Sequence, residues 1–137
     1  MKLDSSAFVA DPELIHALEE KSTAIACGEE RVIFKQGDHP EGLYILDQGE
    51  LTLTMTSPGG QKVMEIQAHP GSLLGLPGLI GEGTYTLSAI ACGGARLSFV
   101  TRDEFARLMQ ADPRLSFKIL QVLAAELRSA RQALSKS

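Results

Sequence analysis

Residues 51–68 read Leu51-Thr52-Leu53-Thr54-Met55-Thr56-Ser57-Pro58-Gly59-Gly60-Gln61-Lys62-Val63-Met64-Glu65-Ile66-Gln67-Ala68. Apolar and hydroxyl side chains alternate strictly from Leu51 to Thr56, so Leu51, Leu53 and Met55 share one face of a strand and three threonines the other. Ser57-Pro58-Gly59-Gly60 turns the chain, and Lys62–Gln67 returns with Met64 and Ile66 inward. The stretch is a β-hairpin with one face turned to a core.

The same grammar extends in both directions. Val32-Ile33-Phe34 precedes the turn signal Gly37-Asp38-His39-Pro40, and Leu43–Leu46 is a compact apolar run before Gly49. Further strands are expected at Ser88–Ala91 and Ala95–Val100, joined by Gly93-Gly94. Many short strands at this spacing indicate an antiparallel sandwich or barrel, not a parallel mononucleotide-binding sheet. All 13 glycines lie between Gly28 and Gly94, which separates a turn-rich middle from helical ends.

Both ends carry helix signals. Asp11-Pro12-Glu13 offers an N-cap and an N1 proline, after which Leu14, Ile15 and Leu18 fall on one face. Thr101-Arg102-Asp103-Glu104 reads as a capping box opening a short helix with Phe105 and Leu108 inward. Asp112-Pro113 then opens a longer helix in which Leu120, Leu123, Leu127, Ala130 and Leu134 recur as a coiled-coil seam of about two heptads. Phe117, Ile119 and Ala124 offer a second apolar face. One face is expected to pack inward and one toward a partner. The 137 residues read as one domain, with strands over about 23–100 and C-terminal helices over about 101–135.

Composition narrows the chemistry. The chain is 44% hydrophobic and 22% charged, long enough to build a core without disulfides or metal. Its two cysteines, Cys27 and Cys92, suggest a reducing compartment and cannot supply an iron–sulfur cluster or an all-cysteine zinc site. Both sit in apolar, strand-like contexts and read as core thiols. The three histidines, His16, His39 and His69, form no His-x-His pair and are placed on the surface, so no metal site is expected.

No nucleophile elbow, phosphate-binding Walker loop or paired-acid motif is present, and no catalytic residues or enzyme activity are expected. Residues 1–100 hold six basic and thirteen acidic side chains, and residues 101–137 hold seven and four. The positive bias of the C-terminal part reads as a solvated helical face, because no aromatic residues interleave it as single-strand binding requires. No apolar run at the N-terminus suits a signal peptide or a membrane span, which makes the cytoplasm the expected location.

A short helix, a glycine-rich roll of about eight strands, a capped short helix and a long C-terminal helix together resemble the cyclic-nucleotide-binding domain of the catabolite activator protein family. Gly28–Asp38 resembles that family's strand and glycine-aspartate turn. Leu43–Leu46 with Gly49-Glu50-Leu51 resembles the next strand pair, and Leu97–Phe105 the approach to the short helix. The resemblance implies an antiparallel β-roll, or jelly roll, with flanking helices.

It also implies a phosphate-binding cassette, in which a glycine and a glutamate open a short helix and an arginine follows about ten residues later. The arginine forks to the cyclic phosphate, and the glutamate accepts from the ribose hydroxyl. The matching segment here is Gly71–Ile80, with Gly75 at the cassette glycine and Leu76 at the glutamate. The arginine position falls on Tyr85 or Thr86. No arginine lies between Arg31 and Arg96.

Leaving a buried phosphate uncompensated costs about 3–5 kcal/mol, and losing the ribose acceptor about 1–3 kcal/mol. Together these weaken binding by roughly three decades or more. Pro77, beside Gly78, also lacks an amide. No cofactor is expected on these residues, and the absence of the cassette glutamate and arginine counts against a cyclic nucleotide.

Glu82, between Gly81 and Gly83, is expected at an exposed turn. Tyr85, Thr86 and Ser88 remain candidates for binding a less charged ligand in a pocket made apolar by Leu74, Leu76 and Leu87, or fill a vestigial one. Haem-binding relatives of the family make Cys27, His39, His69 and Cys92 nominal ligands.

Three readings follow. One is a regulatory, ligand-sensing module that has diverged from cyclic-nucleotide binding and dimerises through its C-terminal helix. A second is a working cyclic-nucleotide receptor of a transcription regulator. The third is a structural pairing domain with a collapsed pocket. The family's winged helix-turn-helix has no counterpart in these 137 residues, so no DNA-binding domain is expected here. A homodimer with an unknown small molecule or partner protein is.

Overall fold

A computed structural model of the chain describes residues 9–81 and 83–136, and of the last helix the side chains at 129, 130 and 133–136 lie outside the described set. The elements run α1 (Pro12–Glu19), β1 (Thr23–Ala26), β2 (Arg31–Phe34), β3 (Gly42–Gln48), β4 (Leu51–Thr56), β5 (Lys62–Ala68), β6 (Leu73–Leu74), α2 (Leu76–Ile80), β7 (Ser88–Ala91), β8 (Arg96–Thr101), α3 (Arg102–Ala111) and α4 (Arg114–Lys136). Two four-stranded antiparallel sheets, ordered β1-β8-β3-β6 and β2-β7-β4-β5, make the β-roll.

The hairpin β4–β5 pairs Leu51 with Ala68, Leu53 with Ile66 and Met55 with Met64. All six are buried between the sheets, while Lys62, Glu65 and Gln67 are exposed. Period-two alternation thus does what it implies: one face joins the core and the other is left to water.

The Leu43–Leu46 run lacks alternation because β3 is covered on both faces. Leu46 joins Leu53, Leu97 and Phe34 inside the roll, whereas Leu43 and Ile45 join Val100, Leu73 and the helices outside it. β6 divides in the same way, Leu74 inward and Leu73 toward the helices. The helix-side cluster is completed by Leu14 and Leu18 of α1, Phe105 of α3, and Leu115, Ile119 and Val122 of α4.

The capping expectations are met in part. The Asp11 carboxylate accepts from the Glu13 amide at 2.8 Å, and Pro12 opens α1. Thr101 Oγ1 accepts from the Glu104 amide at 3.1 Å. The Glu104 side chain does not complete a capping box; it pairs with Arg107 at 2.8 Å, one turn further along α3. Asp112 Oδ1 accepts from the Arg114 amide at 3.2 Å where α4 starts. β7 and β8 are consecutive but lie in opposite sheets, so Gly93-Gly94 carries the chain between sheets and does not close a hairpin.

Other expectations need correction. Cys27 is buried, but Cys92 is only half-buried, because it lies beyond the end of β7 in the Gly93-Gly94 turn. Leu123 is half-buried against the helix-side cluster and is not part of an open seam. Phe117 and Ala124 are exposed, so Ile119 alone of that trio faces inward. The exposed apolar stripe is Phe117, Leu120, Ala124 and Leu127, at spacings of three, four and three. The side chains of Ala130 and Leu134 fall outside the described residues, as does Glu82. Among the described residues no helix is long and apolar enough to cross a membrane.

Candidate functional site

A cavity of about 440 Å³ opens between the roll and α4. Met55 and Met64 form its floor from the β4–β5 hairpin, Pro77 reaches it from α2, and Thr84, Tyr85, Thr86 and Leu87 form one wall. Glu126 and Leu127 of α4 close it. The Gln36 side chain is spent on the opposite rim: its carboxamide donates to the Thr56 carbonyl at 3.0 Å and accepts from the Thr56 amide at 2.8 Å. That clamp ties the end of β2 to the end of β4 and fixes the rim.

Of the six cassette positions, Pro77, Tyr85 and Thr86 line this cavity; Gly75, Leu76 and Gly78 do not. Leu76 is fully buried and points to the helix-side cluster, where it packs with Leu43, Leu79 and Ile119. Leu76, expected at the cassette's glutamate position, is a core side chain.

Gly75 caps α2 with φ of +90°, and a Cβ there would sit 2.8 Å from the Tyr85 ring, so the site demands glycine on both counts. At Gly78 a Cβ would collide with the Thr84 carbonyl. These glycines serve close packing of α2 against the wall that carries Tyr85.

Tyr85 is likewise committed. Its hydroxyl donates to the Gly42 carbonyl at 2.9 Å and its ring stacks on Phe34 at a centroid distance of 4.1 Å. Burial pushes the phenol up to about 12. The hydroxyl expected as a ligand donor is instead a bolt between the cavity wall and β3. Ser88 is committed too, its Oγ accepting from the Gln36 amide at 2.9 Å.

The electrostatics of the cavity rest on a residue that sequence reading passed over. Glu126 is 5% exposed and its Oε1 has no hydrogen-bond partner. Burial pushes its carboxyl well above the ordinary glutamate value of 4.5. No lysine or arginine stands among the described lining residues to offset it. The signal was present in the spacing: Leu115, Ile119, Val122 and Glu126 follow one another at four, three and four residues, so the acid continues the buried stripe of α4. The other buried carboxyl oxygen without a partner, Asp47 Oδ1, lies away from the cavity; Asp47 accepts from Ser98 Oγ at 2.6 Å, and its contact with Glu19 pushes the Glu19 carboxyl up.

His16, His39 and His69 are exposed. Among the described residues no group of three or more His, Cys, Asp or Glu could hold a metal ion. The cations of α3 and the start of α4 are engaged locally: Arg102 donates to the Pro40 carbonyl at 2.8 Å, and Lys118 meets Asp11 at 3.1 Å.

The roll, the short cassette helix and the long closing helix also recur in known proteins. The chain is 31% identical over 125 residues to the cyclic AMP receptor protein of Thermus thermophilus, covering 85% of this chain and 58% of that one. It is 25% identical over 118 residues to the CRP-like cAMP-activated global transcriptional regulator of Mycobacterium tuberculosis, covering 86% and 53%. The crystal structure of the Thermus thermophilus catabolite activator protein superposes with a TM-score of 0.76 at 28% identity, covering 91% of this chain and 59% of that one. The chain thus spans little more than half the length of these relatives. The model of the cyclic nucleotide-binding domain matches residues 24–112, from β1 to the end of α3, and with the roll and cassette helix in place the chain belongs to the cyclic nucleotide-binding domain family.

Proposed function

We propose that this chain is a non-enzymatic sensing module of a regulatory protein, in which the roll holds a ligand that is not a cyclic nucleotide and α4 carries the signal and pairs two copies. The observation that supports this most is the charge of the cavity: its lining offers a buried carboxyl and no cation. A cyclic phosphate entering there would lose its hydration without a charge-assisted partner. The family's glutamate position falls on a core leucine, and its arginine position on Tyr85, whose hydroxyl is already bonded, or on Thr86, neither of them a cation. A cavity of about 440 Å³ is within the range of small-molecule sites and weighs against a collapsed pocket.

The exposed stripe Phe117, Leu120, Ala124 and Leu127 supports pairing through α4, since it leaves large apolar side chains in water along one helical face. Leu127 both lines the cavity and stands on that stripe. Ligand occupancy and dimer geometry therefore meet at one residue, the contact a population shift between two states requires.

The alternative of a working cyclic-nucleotide receptor draws support from relatives named as a cyclic AMP receptor and a cAMP-activated regulator. Thermal unfolding with millimolar cyclic AMP or cyclic GMP separates the two. A receptor at a thousand-fold excess over its Kd gains about 4 kcal/mol, which raises the midpoint by roughly 10 °C at this size. We expect no such shift, and one of that size refutes divergence.

A further inference from the structure

We propose that the cavity beneath α4 takes a compact, largely apolar organic amine, its nitrogen docked on the Glu126 carboxyl. The inference rests on the reading of the roll as a sensing site and adds the chemical class of the ligand.

The first argument is the unmet demand of a buried acid. Glu126 lines the cavity and its carboxyl has a buried oxygen, Oε1, with no protein donor, a cost that folded proteins rarely carry without return. A ligand N–H supplies the missing donor, and an ammonium supplies a charge-assisted one. The second argument is the wall. Met55, Met64, Leu87, Pro77 and Leu127 present apolar surface, so the body of the ligand is hydrocarbon or aromatic. The third is the lack of a counter-charge: no lysine or arginine among the described lining residues greets an anion, so a carboxylate or phosphate would be desolvated there without a charged partner.

Protons balance as follows. Burial favours the protonated form of the Glu126 carboxyl in the empty cavity, and where that proton is present an incoming alkylammonium still keeps its own three. The Glu126 carboxyl then gives its proton to bulk water, and an ammonium–carboxylate pair remains in the cavity. Of the side chains facing Glu126 from β4, β5, α2 and the 84–87 wall, Tyr85 alone titrates, and its hydroxyl is held by Gly42. Lys62 and Glu65 of β5 are exposed and paired with each other at 3.0 Å, outside the cavity. Binding of an amine therefore releases a proton, and affinity rises with pH until Glu126 ionises in the empty site.

The test uses tryptamine, its alcohol isostere tryptophol, and cyclic AMP, titrated calorimetrically into the chain and into Glu126→Gln. Two buffers of different ionisation enthalpy count the proton released. Tryptamine is expected to bind at least about tenfold more tightly than tryptophol and to release a proton, and Glu126→Gln to remove both that preference and the proton release. Equal binding of amine and alcohol, or an amine preference that survives Glu126→Gln, overturns the amine assignment with the sensing site intact. Binding of cyclic AMP in preference to both also overturns it and favours the receptor alternative. If none of the three binds, both the amine assignment and the sensing reading fall. A midpoint of unfolding for Glu126→Gln no lower than that of the parent establishes that the variant is folded.

Discussion

The two faces of α4 differ in what they bury and in what they leave open. On the inner face Leu115, Ile119 and Val122 are nearly sealed, and the stripe ends in an acid, Glu126, over a cavity. On the outer face Phe117, Leu120 and Leu127 are 73%, 57% and 46% exposed with no charge among them. An ordinary amphipathic helix puts its apolar residues inside and its acids outside. Here the outer face carries apolar residues that burial within the chain does not explain, and the inner face an acid that costs stability. Both departures support the proposed reading, in which a ligand sits under the helix and a partner over it.

Substitutions on the two faces sharpen that contrast, and the largest effect is expected inside. Ile119→Ala should destabilise the domain by about 2–5 kcal/mol, read by chemical unfolding. Leu120→Asp, one residue on, should change unfolding of the monomer by no more than about 0.5 kcal/mol and instead convert a dimer to a monomer in sedimentation. A dimer unchanged by Leu120→Asp breaks the assignment of the outer face.

Next comes the acid itself. Its carboxyl is pushed up in the folded chain, so the folded state keeps a proton that the unfolded state gives up above the ordinary value of 4.5. Stability is then undiminished below that value and falls as pH rises toward the raised one. Glu126→Gln abolishes this slope, with a gain that is nil in acid and grows as pH rises above the ordinary carboxylate value, read in pH-dependent melts. A parent whose stability rises through that window as steeply as the variant's contradicts the burial of Glu126.

The smallest effect belongs to the start of α4, where Lys118 holds the Asp11 carboxyl below its ordinary range through a hydrogen bond at 3.1 Å. The pair lies at the surface, its side chains 27% and 39% exposed, and contributes little. Its contribution is present above the ordinary carboxylate value of 3.8 and is lost as pH falls through the lowered one, so Asp11→Asn should flatten only the acid limb.

How far the sequence carries the reader depends on the kind of signal. The β4–β5 hairpin was legible because one face is dry and one wet, and the caps at Asp11 and Thr101 because a short polar side chain precedes each helix. β1 is marked only by the start of the strand region at about residue 23 and by no pattern of its own: Thr23–Ala26 is a short edge strand with little burial and no alternation. β6 was not legible, since two residues carry no period.

At the site, spacing from the cassette glycine found the right segment but not the direction of its side chains. Leu76 reads as a pocket residue and is core, and Tyr85 reads as a ligand donor and is bonded to Gly42. On α4 the expected seam and the exposed stripe share Leu120 and Leu127 and part at Leu123, because a leucine there looks the same in sequence whether it meets a partner or the helix-side cluster. Glu126 was missed because glutamate in a helix ordinarily faces water, and only its place on the Leu115–Ile119–Val122 stripe marks it as buried.

The central claim is that an uncompensated acid, not a cation, faces the cavity under α4, and a carbon-13 NMR titration of the glutamate carboxyls tests it most directly. With the Glu126 signal assigned by its loss in Glu126→Gln, the account predicts a carboxyl that titrates well above the ordinary value of 4.5. A Glu126 that ionises in the ordinary range would place its carboxyl in water or beside a cation and contradict the account.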